Sequence, residues 1–246
     1  MSKDKQQDYN ASSFKEAFKS NTLPYGKDKT IAIRSMFDAI APRYDLLNRI
    51  LTFGQDISWR KKSLRALGLP KNSIVIDLAS GTGDLSILMR KNNLVPIGVD
   101  LSLGMLKHNR SQTSLVQSDA ASLPFRSESI DGVISGFALR NFTNLDLVFD
   151  EMSRVLRPKG RFALLEVSVP NNTFLKLGHG IYFNKIVPAI GGALSDSTAY
   201  QYLPKSIEYL PPVDKMLSIL GKKGFTNLGH VSFSFGIAQL FMGEKK

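Results

Sequence analysis

The chain has 246 residues, 43% of them hydrophobic and 22% charged, which suits a single globular α/β domain with a sizeable core. It contains no cysteine, so disulfides, thiolate metal ligands and cysteine nucleophiles are excluded. The formal net charge of +11 favours nucleic acid, an anionic membrane surface or acidic ligands as partners, yet only Arg60, Lys61, Lys62 and Arg65 cluster tightly.

In chain order, Met1 to Asn21 is polar and lacks the apolar core of a signal peptide, so a cytoplasmic protein is expected. Residues 1–30 read as a flexible N-terminal arm, with one short helix near Phe14 to Phe18. Ile33, Phe37, Ile40 and Ala41 have helical spacing, which Leu46, Leu47, Ile50 and Leu51 continue beyond Pro42. Another helix is expected over Ile57 to Leu67, ending at Gly68. From Ser73 the rhythm changes. Strands are expected at 74–79, 95–99, 114–117, 130–135 and 161–167, and helices at 85–90, 102–109 and 145–156. Short strands alternating with helices argue for a parallel sheet of βαβ units. Residues 171–210, rich in Gly, Pro, Tyr and Ser, look like an insertion lying over a site. Its most apolar part, Ile186 to Leu194, is far shorter than the roughly 20 residues of a membrane span. A helix over Val213 to Gly224 and strands at 227–235 and 237–242 complete the chain. The segment 31–246 thus reads as one domain.

The first strand runs into Asp77-Leu78-Ala79-Ser80-Gly81-Thr82-Gly83-Asp84. Glycines at a strand-to-helix turn let a ligand approach the backbone at a helix N-terminus. A dinucleotide site would need a third glycine beneath the pyrophosphate. Asp84 follows instead and would repel a diphosphate; Asp77 and Asp84 better suit a ligand carrying positive charge, such as the ammonium and sulfonium of S-adenosylmethionine. Asp100 ends the second strand, where a carboxylate accepts from ribose hydroxyls, and Asp119-Ala120 follows the third, where one can accept from an adenine amino group. Each Asp alone could be a cap or turn residue. Three acids at three successive strand ends point to an adenosyl ligand with a cationic tail.

These residues resemble those of class I methyltransferases, and more narrowly the ubiquinone/menaquinone biosynthesis C-methyltransferase family. The likeness covers about residues 33–243. It rests on Met36-Phe37-Asp38 through Arg43-Tyr44-Asp45 to Asn48, on Phe53-Gly54-Gln55-Asp56, Trp59-Arg60 and Leu123-Pro124-Phe125, and on Phe137-Ala138-Leu139-Arg140-Asn141 and Tyr200 to Ser206. The resemblance implies a Rossmann-like fold, a mostly parallel seven-stranded sheet with helices on both faces. It also implies cofactor contacts from Thr82, Asp100, Asp119 and Ala120, alongside Asp77 and Gly81 of the turn. Two departures stand out: Ala79 and Ser80 replace glycines common in related turns, and Gly136 stands where many relatives have a cofactor-contacting serine.

The implied reaction is S-adenosylmethionine-dependent methylation of a ring carbon of a prenylated quinol, with demethylmenaquinol preferred. The alternative substrate is 2-methoxy-6-polyprenyl-1,4-benzoquinol. Loss of a quinol proton pushes electron density onto the ortho carbon, so the protein's task is to position reactants and stabilise a phenolate. Arg140 is the candidate positive partner of the quinol oxygen, against a structural salt bridge. Tyr44 is the candidate donor to the other oxygen, against plain helix packing. Tyr182, Phe183, Ile186, Tyr200 and Tyr202 suit either an apolar tunnel or ordinary core, and His179 a structural role with catalysis as the lesser alternative. No metal site is expected, since the three histidines are scattered. A quinol that lives in the bilayer brings in a peripheral contact with the inner face of the membrane, through basic residues around Arg60 to Arg65. A nucleic-acid methyltransferase is the remote alternative, disfavoured by the absence of an Asn-Pro-Pro-Tyr motif and of cysteine; a non-catalytic quinone-binding protein is a third.

Overall fold

The computed structural model describes residues 25–170, 202 and 205–246. Three helices precede the sheet: α1 (Gly26–Ile40), α2 (Tyr44–Leu51) and α3 (Gln55–Leu67). Helix α1 begins inside the stretch read as a flexible arm; Pro42 falls in a short 3₁₀ turn that separates it from α2. The sheet strands are β1 (Ile74–Leu78), β2 (Val95–Asp100), β3 (Ser114–Gln117), β4 (Ile130–Gly136), β5 (Leu156–Val167), β6 (Phe225–Phe233) and β7 (Ala238–Lys245). Between them lie α4 (Asp84–Lys91), α5 (Leu103–Lys107), α6 (Leu145–Val155) and α7 (Val213–Lys222). The arm before residue 25, the helix expected near Phe14, and most of the expected insertion lie outside the described residues.

The sheet order is β3-β2-β1-β4-β5-β7-β6. The first five strands pair parallel, and β7 joins antiparallel to both β5 and β6. This is the expected Rossmann-like α/β fold. Alternate strand residues feed two cores, as the two-residue period of a strand demands. Ile76, Val133, Leu164 and Phe241 face Phe149 and Met152 of α6 and Met216 and Leu220 of α7. Val75, Ile134, Leu165 and Leu240 face Trp59 and Leu67 of α3 and Leu85 and Met89 of α4. Each large side chain fully removed from water contributes about 1.5–3 kcal/mol, so both faces are firmly anchored.

Several boundaries differ from the sequence reading, two of them for a clear local reason. Leu156 is already extended and pairs with Ile130, because Pro158 disfavours helix at the residue before it and ends α6 early. The last hairpin turns at Ser234 and Phe235, both left-handed (φ 47° and 59°), so β6 ends at Phe233.

Candidate active site

The carboxyl ends of β1, β2 and β4 open on a cavity of about 410 Å³, roofed by α1. In open α/β sheets this edge is where ligands bind. After Leu78 the chain reverses through Ala79 and Gly81 in the left-handed region (φ 57° and 53°), and Gly83 at φ 92° starts α4. Only glycine fits the last position: a Cβ on Gly83 would stand 2.5 Å from Asn109 Oδ1. Asn109 in turn donates to the Gly81 carbonyl at 3.0 Å and braces the turn from outside.

Asp100 holds the turn from the neighbouring strand. Its two carboxylate oxygens accept the N–H groups of Gly81 and Ser102, each at 2.8 Å. Burial pushes its carboxyl up to about 6, although those backbone donors pull the other way. Gly81, Asp100, Asp119 and Ala120 all line the cavity, as does Tyr44, whose ring packs edge-on to Phe37. Asp119 is exposed and accepts from the Ala121 N–H at 2.9 Å through one of its oxygens. The opposite wall is apolar, formed by Ile33, Phe37, Phe137, Phe142, Leu147 and Val148.

Asp77 and Thr82 face a separate recess beneath the turn rather than the main cavity. Asp77 is fully buried, accepts from the Ser86 hydroxyl at 2.6 Å, and is pushed up to about 6 by burial. The Thr82 hydroxyl donates to Asp45 at 2.5 Å. Asp84 is not available as a free acid for a cationic ligand. It sits 2.8 Å from Arg49 Nη2, 3.3 Å from Arg110 Nη2 and 3.5 Å from Arg60 Nε.

The N-terminal motif acids serve as latches. Asp38 on α1 accepts from the Ser102 hydroxyl (2.5 Å) and the Gly104 N–H (2.8 Å), fastening the roof to the start of α5. Asp45 on α2 takes Thr82 and Arg110 (2.5 Å), fastening α2 to the glycine turn. Sequence reasoning placed Tyr44 and Asp45 over the site but missed the Asp38 latch, because its partners are more than 60 positions away.

Arg140, the candidate partner of the quinol oxygen, has internal partners in the structure. Its side chain is buried, pairs with Glu166, and donates to the Phe137 carbonyl at 2.8 Å and to Ser206 Oγ at 3.1 Å. The guanidinium is thereby committed inside the protein and does not line the cavity. Tyr202 is likewise core, its phenol donating to Asn141 at 2.9 Å. Tyr182, Phe183, Ile186, Tyr200 and His179 lie outside the described residues. Arg60 also corrects an expectation. It is 6% exposed and points inward, so Lys61, Lys62 and Arg65 alone present the basic face of α3. The signal was in the sequence: Arg60, Leu64 and Leu67 follow the i, i+4, i+7 stripe of the buried helix face. Lys29, not singled out by sequence, is buried, donates to the Phe142 carbonyl at 2.9 Å and lies 3.5 Å above the Tyr209 ring. Burial pulls its ammonium down to about 8.

Residues 25–245 match the model of the ubiE/COQ5 methyltransferase family. The chain is 39% identical over 219 residues to a ubiquinone/menaquinone biosynthesis C-methyltransferase UbiE of Syntrophotalea carbinolica, covering 85% of this chain and 92% of that one. It is 34% identical over 235 residues to a demethylmenaquinone methyltransferase of Roseiflexus castenholzii, covering 92% and 99%. Among solved structures, a Thermotoga maritima S-adenosylmethionine-dependent methyltransferase, a possible histamine N-methyltransferase, shares the fold with a TM-score of 0.63 at 17% identity, covering 86% of this chain and 99% of that one. With the family model spanning nearly all of the described fold, the chain belongs to the ubiE/COQ5 methyltransferase family.

Proposed function

We propose that this protein transfers a methyl group from S-adenosylmethionine to a ring carbon of a prenylated quinol, with demethylmenaquinol as substrate. The observation that carries the reading is one cavity with two unlike ends. Asp100, Asp119 and Gly81 supply acceptors and close backbone at one end, and aromatic and aliphatic side chains form the other wall. The residues present fit the cofactor: a carboxylate at the end of β2 for ribose, Asp119-Ala120 beside it for adenine, and a glycine turn open to the cavity. When bound, S-adenosylmethionine supplies an electrophilic methyl on its sulfonium. The chain's own part is to orient both partners, to exclude water beneath α1, and to hold the quinol oxygens. Tyr44 lines the cavity beside Gly81 and is the candidate donor to one of them. Arg140, with its guanidinium tied to Glu166, supports the shape of the β4 end instead. The name of the Roseiflexus relative supports the preference for demethylmenaquinol.

A bilayer substrate calls for membrane contact, and no helix among the described residues is long and apolar enough to cross one. An anionic membrane surface suits the carboxyl edge of the sheet. There Phe53 and Phe235 are 76% and 85% exposed, each on a left-handed residue (φ 51° and 59°). Their loops are joined where Ser234 donates to Gln55 at 2.5 Å. Lys61, Lys62 and Arg65 stand exposed on the adjoining helix.

The test is transfer of labelled methyl to demethylmenaquinol, to 2-methoxy-6-polyprenyl-1,4-benzoquinol and to RNA. Labelled menaquinol is expected. Labelling of the benzoquinol alone would replace the substrate, and labelling of RNA alone would overturn the reading.

A further inference from the structure

On the face of the sheet opposite α6 and α7, the outer sides of α3 and α4 enclose a groove of about 430 Å³, as large as the cavity at the carboxyl edge. Volumes of this order are those of small-molecule sites. Leu64, Leu69, Leu88 and Leu94 form its floor and pack into the core beneath. Lys61 and Arg65, one turn apart on α3, stand exposed on its rim, and neither has an ion-pair partner among the described residues. The segments that build the groove carry a single sign of charge. From Ile57 to Ser73 there are Arg60, Lys61, Lys62, Arg65 and Lys71 and no acid; from Leu85 to Pro96 there are Arg90 and Lys91 and no acid. Arg60 turns inward, Arg90 donates to the Ser111 carbonyl at 2.6 Å, and Lys62 lies 5.1 Å from the centre of the Phe233 ring. Arg65 is in the last turn of α3, where a cation complements the helix dipole, but Lys61 lies a turn earlier and has no such role. No aromatic side chain lines the groove, so it offers no platform for stacking nucleic-acid bases. Two cations above an aliphatic floor match an anionic head joined to an aliphatic chain.

We propose that the groove between α3 and α4 is a headgroup site for an anionic phospholipid, its phosphate held by Lys61 and Arg65 and the start of its acyl chain lying on the leucine floor. This rests on the membrane contact proposed above and deepens it, from diffuse attraction to one lipid bound at one place. The outer face of α3 joins the two. Ile57, which is 42% exposed, Lys61 and Arg65 recur every fourth residue, so they share one stripe of the helix. That stripe begins just after the exposed Phe53 and ends at the groove. Helix α3 therefore lies along the bilayer surface for its length of about 20 Å, apolar at one end and lipid-binding at the other.

The experiment compares two double variants of the full chain, each losing two positive charges at exposed positions. Lys61→Gln with Arg65→Gln strips the rim; Lys215→Gln with Lys222→Gln strips α7, on the opposite face of the sheet. Binding is measured to vesicles of mixed phosphatidylglycerol and phosphatidylcholine. Calorimetry adds monomeric dihexanoylphosphatidylglycerol, its phosphatidylcholine counterpart, inorganic phosphate and an RNA oligonucleotide. The rim variant is expected to lose roughly tenfold or more in vesicle affinity, and the α7 variant less than about threefold, since charges turned away from the bilayer are screened. Dihexanoylphosphatidylglycerol is expected to bind the wild type roughly tenfold more tightly than the other three probes, and to lose that advantage in the rim variant. Equal vesicle losses in the two variants would reduce the effect to net charge and overturn the site. Inorganic phosphate or RNA binding as tightly as the short-chain lipid, and through the same two residues, would overturn the lipid as its occupant. Wild-type vesicle binding that the rim variant keeps but a Phe53→Ser, Phe235→Ser variant loses would overturn the headgroup site alone. A wild type that binds no vesicles would overturn the membrane reading, and this inference with it.

Discussion

Replacing Asp100 by alanine tests the cofactor end of the cavity most directly. The carboxylate's two oxygens accept from Gly81 and Ser102 at 2.8 Å, and each retains a lone pair for a ribose hydroxyl. Hydrogen bonds to a charged group contribute about 1.5–3 kcal/mol, so the variant should bind S-adenosylhomocysteine roughly 10–150-fold more weakly at pH 7.5. The fold should survive. Burial raises the carboxyl from 3.8 to about 6, so keeping it ionised above that pH costs the ligand-free protein up to about 3 kcal/mol. Relief of that cost offsets the two N–H groups left to water at the cavity floor. The raised value also sets the pH dependence. Between about pH 6 and 4 the folded protein holds a proton that the unfolded chain releases, so ligand-free stability rises as pH falls through that window. Affinity moves the other way, because a protonated carboxyl has lost acceptor strength. Wild-type and Asp100→Ala affinities, measured by calorimetry, should therefore converge near pH 5. Equal affinities at pH 7.5, or a wild-type profile flat from pH 7.5 to 5, would refute the ribose assignment.

Turnover should require reduced substrate, since an oxidised quinone has no nucleophilic ring carbon; equal anaerobic rates with and without reductant, the quinone staying oxidised, would rule out the phenolate route. Flotation with anionic vesicles should fall steeply from low to moderate salt and weaken further in a Phe53→Ser, Phe235→Ser double variant, because each basic residue near the surface contributes on the order of 1 kcal/mol. Equal binding to neutral vesicles would mean the basic charge serves another purpose. Arg140→Met leaves Glu166 buried and unpaired, which should lower stability to denaturant by about 3–5 kcal/mol; a stable variant lacking only activity would return Arg140 to a catalytic role. Ala79 occupies the left-handed region at φ 57°, where a Cβ costs about 1–2 kcal/mol, so Ala79→Gly should raise the melting temperature, and a drop would show that the methyl packs favourably.

The legible part of this protein was local. The strands beginning at 74, 95, 114 and 130 were readable, to within a residue at their ends, from short apolar runs that end in turn residues. Asp77, Asp100 and Asp119 could be placed at or just beyond three strand ends for the same reason, and with the glycine turn they are the basis of the proposed adenosyl site. Pairing at long range was not legible. The antiparallel insertion of β7 between β5 and β6 depends on contacts such as Leu165 with Leu240, 75 positions apart, that no periodicity encodes. Charged side chains were hardest to assign, since an arginine can serve a ligand, a salt bridge or solvent without changing its local pattern. Arg140 looked free for a substrate until Glu166 was folded against it, and Arg60 looked like surface charge until the burial of α3 turned it beneath the glycine turn. Hydrophobic period and turn chemistry act within a few residues and therefore survive in one dimension. The fate of a charge is decided by whichever partners the sheet brings beside it, and that requires the assembled fold.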